Sequence, residues 1–506
     1  MNEPQRQHLV AWSKAVRSIG KGTGKYAPLH RRNAREHMNE CRSAIPAWVM
    51  PIYRVAETIR PGRDLFDVVI IDEASQSVPE ALLLAYLARK LVVVGDDKQI
   101  SPEYVGIDRE DVNHLRARYL GDMPHSDAFG VDQSFFDLAE IRCQGRICLR
   151  EHFRCMPEII QFSNALCYPA GPLIPLRQYG GSRLSPVVSA RYIPGGYLKG
   201  SNQKVSNPPE AEAIVEELCR IHVSTAYQGK TFGVISLQGQ SQAREIEALL
   251  FQRLGPEAME ARQLVCGDAY AFQGDERDVI FLSLVSAPSE SRRIGTLTDE
   301  ASRRRFNVAM SRGRDQVVLF HSATLNDLSP KCLRHALLQY CQNPVVGQMM
   351  EVNGCPPSNL RDLASTTDRD RIRAPEPFDS WFEVDVFLRL DARNYCVLPQ
   401  YEVAGCRIDL VVQGMERRVA VECDGDRWHG ADRYEEDMTR QRMLERCGWK
   451  FWRVRGSAFY LDPNGALESL WRFLEQEGVF PAGYEPVGRP RDPIVLRMNP
   501  SRDAAW

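Results

Sequence analysis

The sequence lacks the features that mark membrane, secreted and zinc-binding proteins. No apolar run approaches the ~18 residues that a membrane-spanning helix requires. Residues 1–6 are mostly polar and no apolar run follows them, so no signal peptide is evident. The 14 cysteines include no Cys-x-x-Cys pair, and Cys143 and Cys148 come closest to one. This spacing favours free thiols over zinc ligands and predicts a protein of the reducing cytoplasm.

The sequence also lacks a net charge that could attract nucleic acid over the whole surface. Its formal net charge is -2, so a surface that binds nucleic acid must be a local basic stripe. The hydrophobic content of 43% and the charged content of 26% are typical of a soluble globular protein. There is no internal repeat, and the length of 506 residues predicts about three domains.

Two apolar runs that each end in polar residues are the most informative feature present. Residues 68–71 precede Asp72 and Glu73, and residues 91–94 precede a polar segment that contains Gln99. One helix-length segment separates the runs, which predicts two parallel strands of a βαβ unit whose carboxyl ends bind a ligand. There Asp72 can bind Mg²⁺, Glu73 can deprotonate a water and Gln99 can contact a terminal phosphate. For the Asp-Glu pair alone, the alternative is a structural role at a strand end.

Three further segments carry residues suited to phosphate. Arg154 lies where a predicted strand enters a helix, and its guanidinium can reach a phosphate across a domain cleft. Gly274 lets the backbone approach a phosphate, and Glu276 can accept a hydrogen bond from a ribose hydroxyl or a water. Five arginines within residues 303–314 include Arg312, and phosphate is their natural partner. The alternatives are a surface arginine at Arg154 and a solvated basic face at residues 303–314.

In this order the segments resemble motifs II to VI of superfamily 1 helicases, in the branch of nonsense-decay RNA helicases and nuclease-helicases. The resemblance runs from about residue 45 to about residue 325. It implies two RecA-like domains that close on ATP and Mg²⁺ and step along one nucleic-acid strand. It assigns Mg²⁺ binding and catalysis to Asp72 and Glu73, γ-phosphate sensing to Gln99, and the arginine fingers to Arg154 and Arg312. It also implies that the nucleotide is lined by Gln273, Gly274 and Glu276, and that nucleic acid is contacted by Gln238.

One part of that family is missing from its expected place, the phosphate-binding loop that ends in Gly-Lys-Ser/Thr. The nearest candidate, residues 20–25, interrupts the predicted helical region 4–43. Ile19 stands where the first glycine belongs, and Tyr26 stands where the hydroxyl residue belongs. A flexible basic turn between two helices is therefore favoured. Three explanations stay open: a truncated member, a second chain that supplies the missing half, or a motor that has lost its function.

The C-terminal part contains a predicted cluster of carboxylates. Glu383 lies on a predicted helix, and the other acidic residues lie on the strands that follow it. Side chains two apart on a strand share a face, so Glu422 and Asp424 project together, and a hairpin can bring Asp409 to that face. Such carboxylates repel each other unless a divalent cation neutralises them, and oxygen ligands favour Mg²⁺ or Mn²⁺. The alternative is an acidic hairpin that binds nothing.

This arrangement resembles the PD-(D/E)xK nucleases, especially the very-short-patch-repair-like branch. The resemblance implies hydrolysis of phosphodiester bonds, with Mg²⁺ or Mn²⁺ bound at Asp409 and Glu422. It assigns further catalytic roles to Glu383, Asp424 and His429, with Asp424 in place of the usual lysine. It also predicts a later helix over residues 435–446, in which Gln441 and Arg442 face the site.

Together these segments predict an α/β protein: a partial RecA-like domain, a complete second RecA-like domain and a small α/β restriction-endonuclease-like domain. The predicted boundaries are residues 1–125, 126–340, a linker over 341–377, 378–480 and a tail over 481–506. Strands are predicted at residues 147–149, 231–236, 264–266, 279–285, 316–320, 400–403, 407–412, 419–425 and 448–454. Helices are predicted at residues 209–219, 241–251 and 378–390, and a strand end is predicted within residues 47–54.

The sequence therefore predicts a hydrolase in which ATP-dependent DNA helicase domains are fused to a metal-dependent DNA endonuclease. ATP binding by the chain alone is expected to be impaired, because the phosphate loop is missing. The alternative is a platform or subunit partner without ATPase activity that positions an active nuclease. The expected partners are nucleic acid, with DNA favoured, and a chain that supplies the phosphate-loop half; no membrane is expected.

Overall fold

The computed structural model describes the chain with several gaps. Residues outside the description are 78–80, 101–108, 124–125, 127–128, 131–132, 144, 202–203, 290–292, 345–355, 367, 370, 404–405, 416, 426–438, 440 and 484–506. The chain divides into two compact units, residues 1–148 and 149–506. In the described residues, no helix is both long enough and apolar enough to cross a membrane.

The first unit contains a pair of packed helices followed by a small parallel sheet. Its elements are α1 (Glu3–Ile19), α2 (Ala27–Cys41), α3 (Ile52–Thr58), β1 (Phe66–Ile71), α4 (Leu82–Leu87), β2 (Ala88–Val93), α5 (Arg109–Leu120) and α6 (Phe135–Arg142). Asn2 caps α1, because its side chain accepts from the Gln5 backbone while the Gln5 side chain accepts from the Asn2 backbone. β1 and β2 pair in parallel, with Val69 opposite Leu91, which confirms the predicted βαβ strands.

The strand end predicted within residues 47–54 is wrong. Residues 47–51 have no regular element, and α3 begins at Ile52 instead. Pro51 precedes the first helical residue with an extended backbone (φ -65°, ψ 150°). Its ring fixes φ near the value a helix start needs, so the apolar residues that follow enter a helix.

The second unit contains two sheets with their helices. The elements before the C-terminal sheet are β3 (Glu151–His152), α7 (Pro157–Cys167), β4 (Ile174–Pro175), β5 (Val188–Tyr192), β6 (Lys199–Ser201), β7 (Lys204–Ser206), α8 (Pro208–His222), β8 (Phe232–Ser236), α9 (Ser241–Arg253), α10 (Pro256–Ala261), β9 (Val265–Asp268), β10 (Arg277–Ser283), α11 (Glu300–Ser311), β11 (Gly313–His321), α12 (Leu333–Gln342) and α13 (Leu360–Thr366). The C-terminal elements are α14 (Trp381–Asp391), β12 (Cys396–Val403), β13 (Cys406–Gln413), β14 (Arg418–Asp424), β15 (Lys450–Arg455), α15 (Gly456–Leu461) and α16 (Pro463–Gln476).

The larger sheet is parallel throughout, as the alternation of strands and helices predicts. Its strand order, counted over the described residues, is β5-β11-β10-β8-β9. All five residues of β8 are buried, as expected for a strand covered on both faces. The strand predicted at residues 147–149 is wrong, because Ile147 and Leu149 are 91% and 79% exposed and β3 begins two residues later.

A buried carboxylate lies in the core of this sheet. Glu210 on α8 is fully buried and accepts from the Ser283 hydroxyl (2.7 Å), the Val285 backbone (2.9 Å) and the Asn207 amide (3.1 Å). Burial outweighs these bonds and raises the pKa of Glu210 to about 7. The folded protein therefore holds a proton at Glu210 at pH values where the unfolded chain would release it.

Replacement of Glu210 with glutamine is expected to flatten the pH dependence of stability. The raised pKa favours the folded state below pH 4.5, and this contribution is lost as the pH rises toward about 7. The shift corresponds to a loss of up to about 3 kcal/mol, which the neutral amide would not suffer. The measurement is the melting temperature of both proteins from pH 5 to pH 8. Glu212→Gln on the same helix should follow the wild type; a Glu210→Gln curve parallel to the wild type would contradict the expectation.

The C-terminal sheet is mixed and has the strand order β12-β13-β14-β15 across the described residues. β12, β13 and β14 pair antiparallel, and β15 pairs in parallel with β14. One face packs against α14 and α16, with Leu410, Val412, Val419 and Val421 in a shared core. This confirms the predicted order of one helix and three strands, followed by a helix that is visible at residues 441–446 and a last strand.

The C-terminal sheet is joined to the parallel sheet by the segment around β4. Leu176, directly after β4, is 1% exposed and belongs to the core cluster of Tyr401 on the other face of the C-terminal sheet. Further along, the Gly181 backbone donates to Gly414 (3.1 Å), and the Arg418 guanidinium lies 4.1 Å from the centre of the Tyr179 ring. The segment therefore packs into the core of the C-terminal sheet, and its Arg177 pairs with Asp315 on β11 of the parallel sheet.

Candidate functional site

Asp72 and Glu73 follow β1 directly, as predicted. Glu73 has a left-handed backbone (φ 52°, ψ 39°), which is uncommon for a residue other than glycine. Its backbone donates to Asp72 Oδ1 (2.9 Å), and Gln76 Nε2 donates to Glu73 Oε2 (2.8 Å). Both acidic side chains are exposed, so they are fixed side by side at the carboxyl end of the strand and face solvent.

The segment after β2 lies against the loop after β1. A Cβ at Gly95 would come within 2.6 Å of Phe136 and 3.0 Å of the Ser75 backbone, so this close approach requires glycine. Gln99 Nε2 donates to Asp96 Oδ2 (3.0 Å), which holds the predicted sensor in this segment. The two strand ends therefore meet, as the βαβ prediction requires.

In the second unit, Arg154 lies beside Glu276. Arg154 Nε is 2.6 Å from Glu276 Oε2, and Arg314 pairs with Glu276 from another side (3.5 Å). The turn before Arg154 is closed by the Cys155 backbone, which donates to His152 Nε2 (3.1 Å). Burial, and secondarily Arg154, lowers the pKa of His152 to about 4, so the ring stays neutral and can accept that bond. The segments of Arg154 and Glu276, distant in sequence, are thus brought together as predicted.

Arg312 lies next to the same loop. It is 2% exposed, and its Nη1 donates to the Asp275 carbonyl (3.4 Å). Gly274 has a positive φ of 77°, which glycine adopts without strain, and Gln273 bonds through its backbone to the Tyr270 carbonyl (3.1 Å). The loop of residues 273–276 is therefore flanked by both predicted arginine fingers. Because the acidic pair belongs to the other unit, the roles of these residues in hydrolysing ATP stay predictions.

The glycine-rich segment at residues 20–25 connects α1 to α2. α1 ends at Ile19 and α2 begins at Ala27, so a helix precedes the segment, whereas a phosphate-binding loop follows a strand. This confirms the prediction of a turn between two helices.

The predicted nuclease carboxylates converge on one end of the C-terminal sheet. Asp409 on β13 accepts from the Cys423 backbone through Oδ2 (2.8 Å), so its side chain lies against the end of β14. The pKa of Asp409 lies well above its usual range because the carboxyl is buried and because Glu422, Glu383 and Asp424 carry like charges nearby. The four predicted carboxylates therefore lie near one another, and their metal-binding and catalytic roles stay predictions.

Glu383 is the most firmly held of the four. Its carboxylate accepts from the Ser380 hydroxyl (2.7 Å), the Asp379 backbone (3.0 Å) and Gln400 Nε2 (2.7 Å). Gln400 lies within β12, is 1% exposed and has a left-handed backbone (φ 48°). Its Oε1 has no hydrogen-bond partner among the described residues, so an acceptor oxygen is buried beside the carboxylates.

Asp424 and Gln441 are linked by an arginine. Arg453 Nη1 donates to Asp424 Oδ1 (2.8 Å), and Arg453 Nη2 donates to Gln441 Oε1 (2.7 Å). Arg453 therefore places a positive charge beside Asp424. In the nucleases that this domain resembles, a lysine at the position of Asp424 carries that charge. His429 lies outside the described residues, and its predicted role stays untested.

The donor set fits a magnesium-type cation. In the described part of the chain, no group of three His, Cys, Asp or Glu side chains could hold a metal ion. However, Mg²⁺ commonly uses only one or two carboxylates and keeps several waters. The sequence predicts Asp409 and Glu422 as the pair that would hold the ion, and the like charge between these two carboxylates is consistent with that prediction. A hydrated cation would offset the like charge around Asp409. Its waters could also donate to the Gln400 oxygen, which has no partner among the described residues.

Comparison with protein families agrees with this geometry. Two family models described as AAA domains match residues 57–105 and 131–324, and the family model REase_MTES_1575 matches residues 382–474. The chain combines superfamily 1 helicase domains with a restriction-endonuclease-like domain. The helicase domains contain both halves of the predicted nucleotide site, and the endonuclease-like domain contains the carboxylate cluster.

Three curated relatives are each 26% identical to the helicase part. They are the 5'-3' DNA helicase ZGRF1 of Mus musculus (58% of this chain and 14% of the relative), the uncharacterized ATP-dependent helicase MG140 of Mycoplasma genitalium (61% and 28%), and the DNA replication ATP-dependent helicase/nuclease DNA2 of Homo sapiens (54% and 26%). The chain thus spans at most 28% of the length of these three relatives.

Sequence reasoning missed two residues of the endonuclease-like site. Gln400 gave no signal, because a glutamine in a predicted strand is usually an exposed residue, and only the fold places it beside Glu383. Arg453 lies 29 positions after Asp424, and its contact depends on the parallel pairing of β15 with β14. The one available clue was that an acidic cluster with Asp424 in place of lysine needs a cation from elsewhere.

Proposed function

We propose that this chain is a metal-dependent endonuclease acting on DNA, carried by superfamily 1 helicase domains that bind a nucleic-acid strand. The observation that supports this most is the cluster of Glu383, Glu422 and Asp424 around the half-buried Asp409 in a domain of the endonuclease-like family. The relatives named for DNA helicase and nuclease activities favour DNA as the substrate. This activity is consistent with a protein that acts in the cytoplasm and contacts nucleic acid.

In the proposed site each side chain has a distinct task. Asp409 and Glu422 hold Mg²⁺ or Mn²⁺, and when bound the metal supplies a Lewis acid that lowers the pKa of a water and offsets charge on the phosphodiester. Glu383, fixed by Ser380 and Gln400, adds negative charge that favours the cation. Arg453 orients Asp424 through a hydrogen bond. His429 is proposed as a further catalytic residue.

We propose that the chain alone binds ATP weakly. The motor residues Asp72, Glu73, Gln99, Arg154 and Arg312 are present, but no loop of the type G-x-x-x-x-G-K-S/T follows a strand in the sequence. The β-phosphate would lack its lysine and its amide cradle. A second chain that supplies this loop, and a platform that positions the nuclease without turning over ATP, are the two alternatives.

The decisive experiment is a cleavage assay with the purified full chain. Single-stranded and double-stranded DNA would be incubated with Mg²⁺, with Mn²⁺ and with EDTA. Cleavage with either metal and none with EDTA is the expected result. Absence of cleavage with both metals on both substrates would contradict the proposed activity.

ATP hydrolysis distinguishes the alternatives for the motor. Phosphate release by the chain alone, with and without single-stranded DNA, is expected to stay near the level of a Glu73→Gln variant. If the wild type hydrolyses ATP well above that variant, the proposal of weak ATP binding is wrong. If hydrolysis appears only after addition of a polypeptide with a phosphate-binding loop, the second-chain alternative is correct.

A further inference from the structure

Arginine supplies four of the seven residues that line a cavity in the first unit. Its volume is about 610 Å³, and its lining comes from one face of α2 together with one residue after α3: Pro28, Arg31, Arg32, Arg35, Glu36, Asn39 and Arg60. The α2 residues recur at spacings of three and four, so they project from the same side of the helix. The stretch 28–39 lies outside every residue range matched by the family models.

The arginines there carry more positive charge than the neighbouring carboxylates offset. Arg35 donates to the main-chain carbonyls of Glu57 (3.0 Å) and Ala56 (2.9 Å), which fix its position but carry no charge to offset its own. The Glu57 carboxylate is shared between Arg31 (2.8 Å) and Arg54 (2.9 Å). One carboxylate thus serves two guanidinium groups beside Arg35, whose acceptors among the described residues are neutral, and this leaves an excess of positive charge.

The outer rim of the cavity is still less compensated. Arg32 pairs with Glu36 at 3.0 Å, but both side chains are exposed (78% and 60%), so the pair is weak and exchangeable. Arg60 is exposed and makes no ion pair or side-chain hydrogen bond with the described residues. An anion at this rim could therefore bind Arg60 and take the place of Glu36 at Arg32.

The glycine-rich turn at residues 20–25 is built around the same cavity. Arg31 Nη2 donates to the Gly22 carbonyl (3.0 Å), and a Cβ at Gly22 would lie 2.6 Å from that nitrogen. Gly22 also has a positive φ of 77°, so glycine is required twice over. This bond ties the turn that carries Lys21 and Lys25 to the arginines, and it gives the turn a role other than a phosphate-binding loop.

An exposed aromatic ring lies at the start of α2. Tyr26, at the N-cap of α2, is 63% exposed and lies two residues before Pro28 of the cavity lining. Arginines contact phosphate in a planar, two-bond geometry, and exposed aromatic rings next to a basic groove stack on unpaired bases. We propose that this cavity and the adjacent Tyr26 bind single-stranded nucleic acid through its phosphate backbone.

The inference is tested by direct binding, with cleavage blocked by EDTA. The full-length protein and a fluorescein-labelled oligonucleotide of about 30 thymidines would be followed by anisotropy between about 50 and 200 mM NaCl. Arg32→Ala combined with Arg60→Ala should raise Kd by about tenfold or more at the lower salt concentration. It should also reduce the slope of log K against log salt by about 1.4, since each lost phosphate contact on a single strand accounts for about 0.7.

The matched control is Arg6→Ala on α1. Arg6 pairs with Glu3 at 3.9 Å with both side chains 67% exposed, so it reproduces an exposed helical ion pair whose residues do not line the cavity. Its Kd and salt slope should equal those of the wild type. Tyr26→Ala should weaken binding by about fivefold or more with the salt slope unchanged, because stacking does not release counterions.

Two results would overturn the inference. One is a wild-type Kd and slope in the double variant. The other is an equal loss in Arg6→Ala. Neither result depends on cleavage, so the proposed nuclease activity could fail or succeed independently.

Discussion

Asp409→Asn is expected to abolish metal-dependent cleavage of DNA while leaving the endonuclease-like domain at least as stable as before. The substitution removes the charge needed to hold the cation with Glu422, so the rate should fall by at least about a thousandfold. The oxygen of the new amide could still accept from the Cys423 backbone, which now donates to Asp409 (2.8 Å). The measurements are cleavage rates with Mg²⁺ or Mn²⁺ and the urea midpoint of unfolding.

The stability half of this expectation follows from the pKa of Asp409. Burial and the neighbouring carboxylates raise that pKa well above 3.8, so the proton that Asp409 holds in the folded state stabilises the domain at low pH. This stabilisation is lost as the pH rises from 3.8 through the raised pKa. A neutral amide avoids this loss, and the variant should unfold at the same or higher urea concentration at pH 8. A purely structural aspartate would behave in the opposite way, with lower stability and unchanged chemistry.

Asp391→Asn is the control within the same domain. Asp391 is the last residue of α14 and pairs with Arg361 at 2.6 Å. Its side chain is 47% exposed, and it is not one of the clustered carboxylates. Its cleavage rate should match the wild type. Cleavage by Asp409→Asn within tenfold of the wild type would contradict the assigned role. If Asp409→Asn does not fold, Glu422→Gln tests the same pair of ligands.

Buried parallel strands were the part of the fold most accessible from sequence. The runs at residues 231–236 and 279–285 lie within a residue or two of the observed strands, because strands covered on both faces are apolar without interruption. The run at residues 68–71 also lies in a strand, although Val68 and Ile70 are 48% and 66% exposed. The same criterion failed at Ile147 and Leu149, which are apolar but exposed. Hydrophobicity alone could not distinguish an exposed apolar stretch from a core strand.

The residues of the acidic cluster could be predicted from the sequence, but the residues that hold them in place could not. Asp409, Glu422 and Asp424 follow from strand periodicity. Gln400 has a φ of 48° within a strand, a conformation that no local pattern predicts for glutamine. Likewise, nothing in the sequence around Leu176 indicates that it enters the core of a sheet more than 200 residues later, because that contact depends on how two sheets pack.

Arg177→Met is expected to destabilise the second unit by about 4 kcal/mol. Arg177 is 16% exposed and directly follows Leu176, so consecutive residues of this segment contact the two different sheets. Its guanidinium donates to the Arg154 carbonyl (3.2 Å), to the Arg314 carbonyl and to the carboxylate of Asp315, which is 8% exposed. Methionine fills similar space but leaves two carbonyls and a buried carboxylate with fewer donors.

Asp315 would keep one cationic partner in this variant. Lys230 Nζ lies 2.7 Å from Asp315 Oδ2, but the lysine side chain is 34% exposed and cannot reach the carbonyls that Arg177 serves. The free energy of unfolding, from urea denaturation of the full chain, is therefore expected to fall by most of the free energy that breaking a buried ion pair costs. Arg191→Met is the control: its pair with Glu217 has Arg191 49% exposed, and the loss should stay below about 1 kcal/mol.

A double-mutant cycle separates the ion pair from the carbonyl contacts. Asp315→Asn removes the buried charge, so adding it to Arg177→Met should recover part of the lost stability, and the two changes should be non-additive by more than about 1 kcal/mol. Additive losses would mean that Arg177 acts through the carbonyls of Arg154 and Arg314 alone. A single Arg177→Met variant within about 1 kcal/mol of the wild type would contradict the role of this segment altogether. Since Arg177 holds the backbone of Arg154, its replacement is also expected to loosen the predicted arginine finger.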